Sequence, residues 1–554
     1  MDTGIILNSE RRTAMVESGA WNNKLITDYL EEVVTNTPER TAIVGYQVAS
    51  NTRTALTYRE LNDKVTRMAA GLAGIGIEKG DVVACQLPNW WQTTALHLAC
   101  MRIGAILNPL MPIFRERELR FMLSHGEAKL LVTPKVFRNF DHEAMVDGIR
   151  SELPKLETLL VIGGEGDRSF EQRLLNTAWE NQLDTGTLFR ERQLTADDII
   201  QILYTSGTTG QPKGVMHTSN TLFSNVRPYA DRLHLGADDV VLMASPVAHQ
   251  TGFLYGIMMP IYLGTTAILQ DAWDADYACK VIGTEKPAFT MASTPFLADL
   301  VKTAPKYEGK LNSLRIFVSA GAPIPSAVVE QAGQALNAKI VSAWGMTENG
   351  AVTMTCLEDP VERASQSDGK ALPWMEIKII DFNGGDMPAG EEGNLMVRGA
   401  SLFVGYLKRP ELYGVDDDGW FSTGDLARMD RDGYIRITGR TKDVVIRGGE
   451  NIPVVEVENL LYKFPGLADV ALVGSPDDRL GERLCAYVTL DENTTNVTLD
   501  EIKDYLAKQQ LSKSYLPEYL EVIEAMPRTA SGKIQKFKLR EQAKGVRLEP
   551  SKRS

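Results

Sequence analysis

Cysteine is scarce in this chain, and long apolar runs are missing from it. The 554 residues hold five cysteines, Cys85, Cys100, Cys279, Cys356 and Cys485, with no CxxC pair. That spacing excludes a zinc ribbon or a disulfide framework and suits a reducing compartment. No stretch reaches the ~18 consecutive apolar residues of a membrane-spanning helix. The opening residues, MDTGIILNSERRTAMVESGAW, carry charge where a secretory signal needs an apolar core. We therefore expect a cytoplasmic protein with no membrane span. Basic residues are in deficit as well: 59 Lys and Arg against 72 Asp and Glu leave a formal charge of −13. A chain this acidic has no general attraction for nucleic acid or anionic lipid, so an anionic ligand must be held by a local site.

With 44% apolar and 24% charged residues the composition is that of an ordinary globular protein. The length exceeds what one core supports, and at about 150 residues per domain it implies two to four units. Helical and strand patterns alternate from residue 57 onward: TYRELNDKVTRMAAGLAGIGI is helical behind Thr57, DVVACQLP a buried strand, WQTTALHLACMRIGAIL helical and KLLVTP a strand. Repeated strand–helix units predict parallel sheets covered by helices. From Gly385 the texture changes to short strands and turns, with Asp-Gly pairs at 418–419 and 432–433, and predicts a small antiparallel or barrel-like unit. After GRTKD (439–443) a compact α+β pattern begins: VVEVENLLYKF and LDEIKDYLAKQQL helical, ADVALVG and ERLCAYVTL strands. The expected fold is α/β, with a large N-terminal domain of parallel sheets over residues 1–439 that includes the small β unit. A hinge at 440–443 and a small mobile α+β domain over 444–554 follow.

Residues 204–214 read YTSGTTGQPKG. Hydroxyls alternate with Gly207 and Gly210 ahead of Lys213, so the backbone can fold tightly and turn several N–H groups toward one anion. DIIQILYTSG reads as a strand entering this loop, and TSNTLFSNVRPYADRL as the helix after it, with Thr218 to Asn220 as capping candidates. A Walker A loop needs Gly-Lys-Ser/Thr after four intervening residues, and here Pro212 precedes Lys213 and Gly214 follows it. The loop is a phosphate cradle of another kind; read alone, it could also be a Ser/Gly-rich surface turn.

The loop resembles the phosphate signature of the adenylate-forming enzymes, the family of acyl-CoA synthetases, peptide-synthetase adenylation domains and luciferases. Six further motifs of that family follow in order: SAGAPIP (319–325), WGMTE (344–348), STGD (422–425), GRTKD (439–443), GGENI (448–452) and PRTASGKIQK (527–536). The resemblance covers essentially the whole chain. It implies a two-step ligase that uses ATP, Mg2+ and coenzyme A. A carboxylate attacks the α-phosphorus of ATP to give an acyl-adenylate and pyrophosphate, and a thiol then takes the acyl group. Both first reactants are anions, so the first step chiefly requires alignment and charge compensation.

On that resemblance Thr205, Ser206, Gly207, Thr208, Thr209, Gly210 and Lys213 would clamp the β- and γ-phosphates. Glu348 would hold Mg2+, since a carboxylate beside a triphosphate is repulsive without a cation between them. Thr347 would contact the α-phosphate, and Trp344 stands where the family usually has a tyrosine against the adenine. Gly321, Ala322, Pro323, Gly345 and Met346 belong to the same nucleotide-binding motifs. Asp425 would accept the ribose hydroxyls, with Arg440 reaching the same region. Lys533 would carry its charge to the carboxylate and α-phosphate. Lys442 would be the pivot of a rotation that exchanges Lys533 for the GGENI segment, where Gly448, Gly449 and Glu450 would border the pantetheine passage. Acetylation of Lys533 would remove the charge its role needs, which makes a lysine acetyltransferase an expected partner.

The acyl pocket of the family lies near PVAHQTGF (246–253). The candidates are His249, Gln250, Thr251, Phe253, Ala320, Gly345 and Gly350, with a purely structural role for His249 as the alternative. None is charged, and the small residues at 345 and 350 are expected to leave room, so the substrate is expected to be a neutral apolar carboxylic acid. The head NSERRTAMVESGAW and GRTKDVVIRGGENI look most like bacterial short- and medium-chain acyl-CoA synthetases and alicyclic-acid ligases such as cyclohexanecarboxylate-CoA ligase. Three other functions compete: a stand-alone adenylation enzyme loading an acyl carrier protein, a luciferase-like oxygenase, and a non-catalytic nucleotide sensor, which should lack Glu348 or Lys533.

Overall fold

Alternate residues of the strand Val82–Cys85 face opposite ways: Val83 and Cys85 join one apolar cluster, Val82 and Ala84 another. A strand of this kind needs cover on both faces. Val241–Met243 repeats the pattern, sending Val241 and Met243 into the cluster that holds Val83 and Leu242 into a third. In the computed structural model, which describes residues 4–205, 212–321, 324, 326–441, 444–447, 450–452, 454–477, 479–509, 511–529 and 534–544, these strands belong to two sheets that share one helical layer.

The nine-stranded sheet has a parallel centre, Thr41–Gln47, Ala267–Gln270, Val241–Met243, Phe289–Ala292, Ile316–Ala320 and Lys339–Met346 in spatial order, with antiparallel strands at its edges. The six-stranded sheet runs Lys213–Thr218, Ile199–Thr205, Ile106–Pro109, Val82–Cys85, Ala128–Pro134, Thr158–Ile162, parallel except for the first strand. Helices Tyr58–Gly74, Trp91–Ile103 and Ser219–Arg232 lie between the sheets and contribute to the apolar cluster both sheets share. The first opens with a capping box, Thr57 accepting from Glu60 N at 3.1 Å and Glu60 from Thr57 N at 2.8 Å. The second is shorter than the apolar pattern predicts. Gly104 at φ 74° ends it and Ile106–Pro109 is a strand, so the last residues of WQTTALHLACMRIGAIL leave the helix.

The small β unit is a four-stranded antiparallel meander in linear order, Met375–Ile380, Glu392–Gly399, Phe421–Met429 and Ile435–Arg440, and it begins upstream of Gly385. Its Asp-Gly pairs make the expected tight turns, with Gly419 at φ 83° and Gly433 at φ 80°. After Arg440 the chain joins a different sheet at Val445–Arg447. This sheet combines Glu450–Ile452, Leu467–Asp477, Gly481–Leu490 and Tyr519–Val522 with helices Val454–Leu461, Leu499–Lys508 and Lys536–Ala543, around cores of its own. All five thiols are free and four are buried. Among the described residues no helix is long and apolar enough to cross a membrane.

Candidate active site

The strand Ile199–Thr205 does not pass through its loop into a helix, as the sequence suggested. It turns back on itself as Lys213–Thr218, with Thr205 opposite Lys213, so the Gly-rich loop is the tip of a hairpin. The helix Ser219–Arg232 follows the second strand and is capped by Thr218 as expected, Thr221 N donating to its hydroxyl at 3.2 Å. KGVMHT carries no strand signal in the sequence because five of its six residues are buried, which erases the alternation that marks a half-buried strand. Ser206, Gly207, Thr208, Thr209 and Gly210 lie outside the described residues. At the foot of the hairpin, Tyr204 donates to Met122 O at 3.2 Å and accepts from His125 Nδ1 at 3.0 Å. Burial, with Arg409 and Lys408 nearby, holds His125 down to about 4, so it is neutral at pH 7.

Glu348 belongs to a second hairpin. Lys339–Met346 and Gly350–Met354 pair antiparallel with Met346 opposite Gly350, leaving Thr347, Glu348 and Asn349 as the turn. Gly350, the first residue of the return strand, is left-handed at φ 66°, a conformation that glycine adopts without strain. Neighbours grip this turn from several sides. His217 Nε2 donates to Thr347 O at 2.8 Å, Ser401 Oγ to Asn349 O at 2.8 Å, Asn225 Nδ2 to Ala351 O at 2.6 Å, and Tyr255 Oη to Asn225 Oδ1 at 2.7 Å. His217 is fully buried and held down to about 4, so it is a neutral donor at working pH.

The Glu348 side chain is 5% exposed. Tyr406 donates to its Oε1 at 2.7 Å, and among the described residues Oε2 accepts no hydrogen bond. Lys213 Nζ stands 4.0 Å from the centroid of the Tyr406 ring. Burial lowers the Lys213 ammonium from its ordinary pKa and Glu348 opposes that; burial and Glu348 together push the Tyr406 phenol far up, so it stays a donor. The cluster thus sets a carboxylate oxygen that accepts no hydrogen bond among the described residues, and a cation, at the foot of the Thr205–Lys213 hairpin. Among the described residues no group of three His, Cys, Asp or Glu side chains is placed to hold a metal ion. The single carboxylate of Glu348 would suit Mg2+, an ion commonly held by one or two carboxylates together with substrate phosphates.

Asp425 and Arg440 face each other across two strands of the meander, Arg440 Nε lying 2.9 Å from Asp425 Oδ1. The other oxygen, Oδ2, accepts from Trp344 Nε1 at 2.9 Å. Trp344 packs its indole with Val215, Val352 and Phe403, so this ring is anchored by burial and by Asp425 together. The fold therefore brings together three residues that the sequence separates by as much as 96 positions (440 − 344).

The acyl-pocket candidates divide. His249 caps the short helix Gln250–Phe253, its Nδ1 accepting from Thr251 N at 3.3 Å, which leaves Nε2 with the ring proton. Gln250 is 3% exposed, with neither amide atom partnered among the described residues. Phe253 is in the core between the sheets, edge-on to His97 at 4.8 Å. Ala320 ends the strand Ile316–Ala320 and Gly321 follows it at φ 89°. The reading that Gly345 and Gly350 leave room for substrate is overturned. A Cβ on Gly345 would lie 1.9 Å from Gly350 O, and one on Gly350 would lie 2.7 Å from Asn225 Cγ. These glycines let the two hairpin strands and Asn225 approach, and the space is already filled.

Ala322, Pro323, Lys442, Gly448, Gly449 and Lys533 lie outside the described residues, and Glu450 is described only as the start of Glu450–Ile452. Tyr406, His217, Asn225 and Tyr255 were not foreseen. No local signal marks Tyr406, whose partner Glu348 is 58 residues away.

A family model described as AMP-binding enzyme matches residues 30–407, and one described as AMP-binding enzyme C-terminal domain matches residues 456–533. The chain is 35% identical over 542 residues to a medium-chain fatty-acid–CoA ligase of Escherichia coli, covering 98% of this chain and 94% of that one. It is 32% identical over 546 residues to a mitochondrial medium-chain acyl-CoA ligase of Bos taurus, covering 94% and 88%. Among solved structures it resembles the o-succinylbenzoate coenzyme A synthetase of Bacillus subtilis in complex with ATP and a magnesium ion, with a TM-score of 0.76, 26% identity and coverage of 93% of this chain and 99% of that one.

Proposed function

The chain belongs to the AMP-binding enzyme family and is an AMP-forming acyl-CoA ligase that uses ATP, Mg2+ and CoA, and on that premise we propose that it activates a neutral, apolar carboxylic acid of short to medium chain length or an alicyclic acid such as cyclohexanecarboxylate. The observation that carries the reading is the Glu348–Tyr406–Lys213 cluster at the foot of the phosphate hairpin. Names of relatives, medium-chain ligases in both cases, support the acid class. So does the absence of any charged side chain from His249, Gln250, Thr251, Phe253 and Ala320.

In this reading Thr205 and Lys213, with the loop between them, bind the β- and γ-phosphates, and Glu348 offers Oε2 to Mg2+. Bound there, Mg2+ neutralises phosphate charge that would repel the attacking carboxylate. Tyr406 holds the Glu348 carboxylate in one orientation. Asp425 turns its remaining lone pairs to the ribose while Arg440 and Trp344 fix its two oxygens. His249 keeps its Nε2 proton toward the acid. Lys533 carries positive charge to the reacting carboxylate and α-phosphate, and rotation about Lys442 replaces it with the segment containing Gly448, Gly449 and Glu450 for thioester formation. The domains we propose are 1–439, a hinge at 440–443, and 444–554. A reducing compartment suits the five free thiols. Neither the relatives nor the described residues add support for a lysine acetyltransferase acting on Lys533.

The test is pyrophosphate release from Mg-ATP across linear acids from acetate to palmitate, cyclohexanecarboxylate and benzoate, each with and without CoA. Turnover with CoA that peaks on apolar acids of intermediate size supports the reading. A thioester formed only on a carrier protein would replace it with the carrier-loading alternative, and a preference for a charged or amino acid would refute the acid class.

A further inference from the structure

Ahead of the family match, which begins at residue 30, the chain runs across the segment that holds Glu348 in place. Ile6 N donates to Val404 O at 2.8 Å, and the Ile6 side chain packs on the cluster of Trp344, Phe403 and Tyr406. On its opposite edge this segment pairs with the strand Lys213–Thr218. Val404 N donates to Met216 O at 3.1 Å, Met216 N to Gly405 O at 3.1 Å, and Leu407 N to Gly214 O at 2.8 Å. Residues 404–407 are therefore held between the N-terminal stretch and the strand that begins at Lys213. Gly405, at φ 131°, permits the approach, since a Cβ there would meet Gly4 O at 3.3 Å.

The helix Ser9–Glu17 fully buries none of its residues; its apolar contact is Met15, which packs on the small cluster of Ala20, Trp21 and Ala400. Asn8 caps it, accepting from Arg11 N at 2.7 Å, and the helix thereby delivers Arg11. The Arg11 guanidinium donates to Phe403 O at 3.1 Å, to Tyr413 Oη at 3.0 Å and to Leu402 O. Tyr413 Oη also donates to Phe403 O at 3.2 Å. Phe403 in turn donates its N–H to Glu348 O at 2.8 Å, and Tyr406, three residues on, holds the Glu348 carboxylate. The strap is tied down elsewhere as well: Arg12 pairs with Asp197 at 2.7 Å, and at its far end Trp21 Nε1 donates to Ala400 O at 3.0 Å.

We propose that residues 4–21 are a strap whose Arg11 is a positioning residue for adenylation, fixing residues 402–406 in the register that presents Glu348 to Mg-ATP. Three carbonyl and hydroxyl acceptors converge on one planar fork, a geometry that lysine cannot reproduce. The proposal rests on the assignment of Glu348 to Mg2+ given above.

The experiment uses the full-length protein and measures equilibrium binding of ATP by calorimetry as a function of Mg2+ concentration, without the acid, beside ATP–pyrophosphate exchange and thermal melts. Arg11→Met should raise the Mg2+ concentration for half-maximal ATP binding by about tenfold. Arg11→Lys should recover part of that shift, and Tyr413→Phe should give a smaller shift in the same direction. Tyr413→Phe decides the matter if Arg11→Met does not fold. Parental Mg2+ dependence in the Arg11 and Tyr413 variants, with a shift in Glu348→Gln, overturns the strap and leaves the Glu348 assignment standing. A lower melting temperature with unchanged Mg2+ dependence overturns it equally, because that is what a merely structural strap would give. Unchanged Mg2+ dependence in Glu348→Gln overturns the assignment and the strap together.

Discussion

Replacing Tyr406 by phenylalanine removes one oxygen and leaves the ring over which Lys213 is placed 4.0 Å away. The lost contact is a 2.7 Å hydrogen bond to a carboxylate that is 5% exposed. Hydrogen bonds to charged groups contribute about 1.5 to 3 kcal/mol, and a buried acceptor deprived of its donor keeps the desolvation cost. Taking about 2 kcal/mol, and about 1.4 kcal/mol per tenfold in rate, Tyr406→Phe should lower kcat/KM for Mg-ATP about thirtyfold. The carboxylate would then be free to turn, so the loss should grow as Mg2+ is lowered. ATP–pyrophosphate exchange under saturating acid, with Mg2+ and ATP varied separately, measures both effects. A variant within about threefold of the parent at every Mg2+ concentration would refute the reasoning, since a difference that small is under about 1 kcal/mol. Tyr406→Leu, which also removes the ring, should cost more, a cation over an aromatic face contributing about 1 to 2 kcal/mol when partly desolvated.

Other consequences are as concrete. His97 is buried with neither ring nitrogen partnered among the described residues, and burial holds it down to about 3 from the ordinary 6.5. A depressed folded pKa means the unfolded chain takes up the proton first, so this stability is complete above pH ~6.5 and is lost as pH falls toward the folded value. At pH 5 the loss is on the order of 2 kcal/mol, and His97→Leu should flatten the pH 7-to-5 slope of urea unfolding by that amount; an unchanged slope would sink the argument. Gly345→Ala puts a Cβ 1.9 Å from Gly350 O and should destabilise by about 3 kcal/mol with loss of adenylation. Gly333→Ala, in the helix Ser326–Leu336 with nothing within 4 Å, should be neutral or slightly stabilising, and equal melting temperatures for the two variants would contradict the packing argument. Lys533→Ala should suppress acyl-adenylate formation far more than thioester formation from supplied acyl-adenylate, and equal loss in both half-reactions would remove its assigned role.

The chemistry of this protein is written locally, and that part was legible. YTSGTTGQPKG, WGMTE and STGD are short runs of particular residue types, and it is their occurrence in one order along the chain, not any one of them alone, that carried the expected roles. Helix starts are local too: Thr57 and Thr218 cap where their side chains can reach the next turn, and the structure bears out both. Parallel α/β layering followed from the alternation of strand and helix patterns, because a strand buried on both faces must be covered by helices on both.

What the sequence withheld depends on pairing across distance. KGVMHT became a strand antiparallel to Ile199–Thr205 because that strand offered it a free edge; its own residues carry no alternation to announce this. Gly345 and Gly350 read as open space for a substrate, yet tertiary packing fills that space with a facing backbone and Asn225. Tyr406 meets Glu348 across 58 residues and Arg11 meets Phe403 across 392. No sequence period extends over such separations. The candidate residues for the chemistry were therefore set by sequence, whereas the groups that hold them still were decided by which sheet edges and loops the fold brought into contact.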